Sequence, residues 1–441
     1  MERRSNGLFL SWNAQSLALL ARAASICVIA DLFDRWSLIR DFLTQSGVLP
    51  LELISSVTPL GKFAFILPHF WADAPVFHQS LMVLQGVLAV LLFVRARSAL
   101  CIGLLFWLHI SQMNREPFLL YGGDSLLSLV LGFLLIQKFS SRVASAVLSG
   151  FLITLYFHAG YVKWSAPWFS GEALSLIGWS GVETTPLAES LLTRPWFSGI
   201  FSPLVPIAEI FLPALALCSK NRVRSVAAAV LLLFHLSHAF LFELGFFPWL
   251  AASIWGASLL SQAPTEPLPQ RLRARSNLLP LLIFLLIFLS QSRFLFPWRI
   301  QTYGLHTPFQ ALGWDRPWGF WANIQGSMKT EIWILGADDG NPGIHVNLLS
   351  PEHQGRPWPS RLYPSHRWHH QLENLFLFRT AHRPPRIVQD AFFEHFCRRA
   401  LSLKLSSVRV EKHWFPEKDG APRISIEGQR NCQPAPKSSA E

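Results

Sequence analysis

The sequence predicts an all-α polytopic membrane bundle of about nine transmembrane helices, followed by a small C-terminal α+β domain on the extracytoplasmic side. Three observations predict it. Apolar residues make up 51% of the chain and charged ones only 15%, where a soluble chain of this size carries about 25% charge. The apolar residues fall in long runs almost free of charge, such as Leu126 to Ile136, Val226 to Phe242 and Leu278 to Leu289, and these runs stop near Arg299. Lys and Arg gather in the short loops between the runs.

Crossing a hydrocarbon core takes roughly 20 apolar residues. That rule places helices near 16–36, 76–95, 98–113, 122–138, 141–161, 202–218, 225–242, 246–261 and 277–296. Arg3 and Arg4 precede the first run in the manner of a signal peptide, but Arg22, Asp31, Asp34 and Arg35 interrupt it, so a retained helix is expected. Residues 1–300 are read as the membrane domain and 301–441 as the soluble one.

Loop charge orients the bundle, because Lys and Arg favour the cytoplasmic side. With the N-terminus inside, the loops holding Arg95 and Arg97, Lys138 and Arg142, Lys220 to Arg224, and Arg271 to Arg275 all fall inside as well. An odd number of spans then leaves the tail outside. This fits a multi-pass membrane protein with its N-terminus inside, and it accounts for the net charge of +11 without a nucleic-acid partner. The outer loops, Asp41 to Trp71, Asn114 to Asp124 and Lys163 to Trp196, are longer and hold the polar clusters.

In the tail, Glu331 to Leu335 and Ile344 to Leu349 are strand-like around the turn-rich ADDGNPG, Val388 to Leu403 has a helical pattern, and Arg409 to Trp414 pairs with Pro422 to Glu427 as a second hairpin. His366, His369 and His370 lack the spacing of a metal motif, so no metal site is expected, and the final QPAPKSSAE has the composition of a disordered end. Cys27, Cys101 and Cys218 sit in apolar runs as small core residues. Cys397 and Cys432 lie outside the membrane on the oxidising side, where a disulfide is open to them, though the sequence supplies no distance.

Polar groups within membrane helices are costly and mark candidate sites. Asp31 and Arg35 lie four apart and suit a mutually neutralising pair. Glu209 has no partner evident in sequence. His235 and His238 share one helical face; that spacing suits two ligands of a metal, but equally hydrogen bonding to neighbouring helices. Asn114, Arg115 and Glu116 stand at the outer end of the third helix, and Tyr121-Gly122-Gly123-Asp124 opens the fourth as a tight polar turn in which Asp124 caps the helix. Lys163 closes the fifth helix among Tyr161, Trp164 and Trp168. Two roles fit it: a base in an apolar collar, or an interfacial anchor whose stem snorkels among aromatics.

Several of these segments, in order, resemble the HTTM (horizontally transferred transmembrane) domain family, the bacterial relatives of vitamin K-dependent gamma-glutamyl carboxylase. They are the Asp31 to Arg35 region with SGVLP (Ser46 to Pro50), NREPFLLYGGD (Asn114 to Asp124), YFHAGYVKW (Tyr156 to Trp164) with Trp168, Gly171 and Ala173, and FHLSHAFLFELGFFPW (Phe234 to Trp249). In the tail, YPSHRW (Tyr363 to Trp368), Asn374 and Cys397 resemble the soluble extension of such proteins. The resemblance implies Lys163 as the base; the polar residues read above complete the expected catalytic group with Arg115, which would hold an anion, Asn114 and Glu116. Tyr121, Asp124, Trp164, His235 and His238 would line the substrate. It also implies reduced vitamin K or another quinone as cofactor and a lipophilic small molecule as partner. Two departures stand out: the carboxylases have Asn-His where this chain has Asn114-Arg115, and residues 301–441 hold no counterpart of their large luminal domain. The alternative is a non-catalytic membrane scaffold or binding protein whose tail recruits an extracytoplasmic partner.

Overall fold

The computed structural model describes residues 12–57, 61–96, 98–117, 119–180, 184–218, 221–261, 328–338, 341–349, 372, 386–416 and 423–432. The first eight expected helices are present. They are α1 (Ala14–Trp36), α4 (Pro75–Val94), α5 (Ala99–Arg115), α6 (Gly122–Ile136), α7 (Ser141–Val162), α11 (Pro195–Cys218), α12 (Asn221–Leu241) and α13 (Phe247–Leu260). Among the described residues α1, α4, α7, α11 and α12 are long and apolar enough to cross a membrane, and α6 and α13 are shorter apolar helices. The chain is an integral membrane protein on this evidence. The expected ninth helix, 277–296, lies outside the described residues, as do Tyr363 to Trp368, Asn374 and the final QPAPKSSAE.

Local chemistry sets the helix ends. Asn13 accepts from the Ser16 amide, Ser98 from Cys101 and Ser140 from Val143, so α1, α5 and α7 each begin on a side-chain cap. Pro75 and Pro195 open α4 and α11, where the missing N–H costs nothing. Two boundaries differ from expectation. Helix α11 starts at Pro195 rather than 202 and runs through Pro203, Pro206 and Pro213, because membrane helices tolerate internal proline. Helix α5 extends to Arg115, which draws Asn114 and Arg115 off the mouth loop onto a buried last turn.

The connections expected on the outer side are not plain loops. The first holds α2 (Ile39–Phe42), α3 (Leu51–Val57) and two 3-10 turns, Gly61–Ile66 and Pro68–Phe70. The third holds α8 (Ala166–Phe169), α9 (Ala173–Ser180) and α10 (Pro186–Leu192). Helix α1 packs on α4, α6 and α13; α7 lies against α6 and α11; and α12 lies against α11 and α13.

The tail has the expected elements: β1 (Met328–Asp338), β2 (Asn341–Asn347), α14 (Arg386–Ser402), β3 (Ser407–Pro416) and β4 (Arg423–Asn431). They form an antiparallel sheet of order β2-β1-β3-β4, with Ile334 opposite Val410. Cys397 and Cys432 are joined in a disulfide of 2.11 Å that ties α14 to the end of β4, whereas Cys27 and Cys101 are free and buried. Phe392, Phe396, Ile334 and Val408 of the tail share one apolar cluster with Phe42, Val48, Leu49 and Phe70 of the first outer connection. His395 Nδ1 and Arg398 Nη2 both donate to the Ser46 carbonyl, at 3.1 and 2.8 Å. The tail therefore sits on the side of the bundle where α1 ends and α4 begins.

Candidate functional site

The residues predicted to act together fall in two places. The first is a closed charge network between α1, α5 and α6. Arg35 reaches Asp31 through Nε at 2.9 Å and Asp124 through Nη2 at 2.6 Å, and its Nη1 contacts Glu116. All four side chains are buried. The pair expected of Asp31 and Arg35 is thus a hub with three carboxylates, the other two supplied by α5 and α6. Asp124 also reaches back to the Tyr121 amide at 3.0 Å, so it caps α6 from inside the first turn as one half of a capping box. Its carbonyl accepts from His109 Nε2 at 3.0 Å.

Arg115 donates to the Leu49 carbonyl at 2.7 Å and to Asp73 at 3.2 Å, and Asn114 donates back to the Ile110 carbonyl at 2.9 Å. Nearby, His69 meets Ser111 Oγ through both its backbone N–H, at 2.9 Å, and Nδ1, at 3.1 Å. Burial first, and then His78, Arg35 and Arg115, hold the His69 imidazole well below its usual range, so it is neutral. Asp73 and His69 belong to this network and carried no signal in the sequence.

The second place is a cavity of about 440 Å³ walled by α7 to α13. Lys163, the C-cap of α7, is buried and donates to Glu209 Oε1 at 2.9 Å, Glu209 Oε2 at 2.7 Å and the Ala159 carbonyl at 3.3 Å. Its Nζ lies 5.8 Å from the Trp168 ring centre. The anchor role is therefore overturned for Lys163: the ammonium turns inward to a carboxylate, and Glu209 has the partner that sequence did not reveal. Trp164 and Tyr161, expected in its collar, are exposed, and only Trp168 is buried.

Helix packing brings the pair together. A Cβ on Gly160 would stand 2.8 Å from the Pro206 carbonyl oxygen and 2.7 Å from Ile210, so glycine allows α7 and α11 to approach at the level of Glu209. Above the pair, Gly171 has φ of +88° and its carbonyl accepts from Ser198 and Ser202 of α11, which fastens the α8–α9 turn over the cavity.

His235 and His238 line the same cavity, as do Tyr156, Trp168 and a coat of Leu and Phe. His238 Nδ1 donates to the Phe234 carbonyl at 2.7 Å, and Tyr156 is hydrogen bonded to His235 Nε2. Among the described residues no cluster of three metal-ligating side chains occurs. The lining residues that reach the surface are Phe201 on α11 and Ser237 and Phe240 on α12. Exposed Ile200, Leu204 and Leu233 flank them. The cavity thus meets the surface at the exposed apolar face of α11 and α12. Asn114, Arg115, Glu116, Tyr121 and Asp124 are not among its lining residues.

No curated protein and no solved structure matches the chain. The model of the HTTM domain matches residues 137–256, a span that holds Lys163, Glu209, Tyr156, His235 and His238 but not the Arg35 network, so this part of the chain is similar to the HTTM domain.

Proposed function

We propose that the cavity takes up a lipophilic molecule, quinone-like or lipid-linked, from the bilayer, and that Lys163 acts on it as a base. The observation that carries this is a buried lysine–carboxylate pair set in the wall of an otherwise apolar cavity with a lateral mouth. The ammonium seen here is the protonated form of that base; Lys163 acts as the neutral amine once this proton has left, and Glu209 then holds the ammonium that forms when the ligand's proton is taken. The volume, the apolar coat and the buried indole N–H of Trp168 suit reduced vitamin K or another quinone, whose ring oxygens accept hydrogen bonds. Arg115, Asn114 and Glu116 then hold the α1, α5 and α6 half together and do not touch the reacting molecule.

Lys163→Arg tests the reading. The variant should fold and insert like the parent, since the charge and its partner persist, yet lose turnover, because guanidinium does not release its proton near neutral pH. The assay supplies a reduced naphthoquinone and dioxygen to protein in nanodiscs and follows formation of the epoxide, one oxygen atom of O2 entering the ring and the other leaving as water. Equal activity of the two proteins removes Lys163 from the chemistry.

A second reading is a non-catalytic membrane scaffold whose tail recruits an extracytoplasmic protein. It is favoured by the apolar core that the tail shares with the first outer connection. A purified protein that forms no epoxide from any reduced quinone, but retains a partner through its tail, would choose it.

For the topology we propose a bacterial inner-membrane protein with nine crossings, a cytoplasmic N-terminus and residues 301–441 as an extracytoplasmic domain. The basic loops support the orientation. The docking of the tail at Ser46 supports an odd number of crossings, since the short connections after α4, α6 and α11 all lie at the opposite end of the helices. Alkaline phosphatase fused after Glu441 should be active, and fused after Arg273 inactive; the reverse pattern turns the whole assignment over.

A further inference from the structure

Tyr156 on α7, His235 on α12 and Trp255 on α13 form a hydrogen-bonded chain in the cavity wall. Trp255 Nε1 donates to the Tyr156 hydroxyl oxygen at 3.0 Å, and an indole N–H can only donate. The Tyr156 hydroxyl is buried, so its own proton needs an acceptor. His235 Nε2 is the acceptor within reach. The lone pair of His235 is therefore on Nε2, and the neutral ring carries its proton on Nδ1.

That Nδ1–H is buried and has no partner among the described residues. The other polar groups of the lining are differently placed. Lys163 spends its three N–H bonds on Glu209 and Ala159, Ser237 donates to Phe234 at 2.7 Å, and so does His238. Trp168 Nε1 is a second buried donor without a partner among the described residues. The cavity wall thus offers two unanswered donors in an apolar surround, an arrangement that costs desolvation with no return until an acceptor arrives.

We infer that His235 Nδ1–H, with Trp168 Nε1–H, recognises an acceptor oxygen on an apolar ligand, and that Tyr156 and Trp255 are positioning residues that lock His235 in the donating tautomer. This rests on the uptake proposed above and adds its selectivity. Molecules with a carbonyl or ether oxygen are accepted, and hydrocarbon analogues of the same shape are rejected, because they leave the donors unpaired.

Two measurements test it. Solid-state NMR of protein carrying ¹⁵N-histidine in lipid bilayers reads the tautomer, with His235 assigned by its absence from the spectrum of His235→Phe. The expected wild-type ring is neutral and protonated on Nδ1, and Tyr156→Phe should shift it toward Nε2–H. Calorimetric titration in nanodiscs then compares a decyl-substituted benzoquinone with the matching decyl-substituted arene. Wild type should prefer the quinone by about tenfold, and His235→Phe should lose most of that preference while keeping the affinity for the arene. A wild-type ring protonated on Nε2 overturns the inference even where a variant does not fold. So does binding of both probes with no preference, which leaves uptake itself standing. If neither probe binds wild type, uptake fails, and the role of His235 fails with it.

Discussion

The two halves of the bundle handle buried charge in opposite ways. In the half built from α1, α4, α5 and α6, Arg35 gathers Asp31, Glu116 and Asp124 from three helices, and Arg115 is taken up by Leu49 and Asp73. These charges hold elements to one another. In the half built from α7 to α13, the ion pair of Lys163 and Glu209 lies on the edge of an apolar cavity. Buried charge by itself says little about function. What separates the halves is an adjoining cavity that meets the surface, and that cavity lies within the segment that matches the HTTM domain.

If the Arg35 hub is structural, breaking it should give the largest loss. Arg35→Met leaves three buried carboxylates without their cation, a change on the order of 3–5 kcal/mol or more. Little folded protein should accumulate, and any that does should melt well below the parent in detergent. A variant that folds normally and fails only in ligand binding would erase the distinction between the halves.

The cavity half should respond more selectively. Gly160→Val places side-chain atoms against Pro206 and Ile210 and pushes α7 from α11, costing about 1–3 kcal/mol as overpacking does. The Lys163–Glu209 pair should separate, so binding of the benzoquinone probe should fall by more than the loss of melting temperature explains. Unchanged binding in a folded variant would show that the close approach is not what sets the pair.

The smallest expected effect sharpens the comparison at the tail, which docks on the network half through His395 and Arg398. Burial, opposed by the Ser46 carbonyl and by Asp41, lowers the His395 imidazole from its ordinary value of 6.5. The folded state therefore resists a proton that the undocked chain accepts. Docking is at full strength above about pH 6.5 and weakens as the pH falls below it, until the folded-state value is reached. Hydrogen exchange of α14 amides should quicken modestly between pH 7 and 5.5, and His395→Gln should flatten that dependence. A slope that survives the substitution belongs to another group.

Much of this protein is written in one-dimensional patterns. Apolar runs placed the eight described bundle helices, because a hydrocarbon core sets their length, and the period-two pattern with turn residues placed the tail strands. Lys163, His235 and His238 stood out because polar groups at membrane depth are conspicuous. Their roles were not legible, because a partner across helices has no fixed spacing in sequence. Glu209 meets Lys163 only through the Gly160 contact between α7 and α11, Arg35 serves Glu116 and Asp124 from other helices, and the Cys397–Cys432 link needed a distance. The division of Lys163 from Arg115 was equally hidden. Sequence placed both at the outer ends of helices, and only packing decided that Arg115 ends in a charge network and Lys163 beside an open cavity.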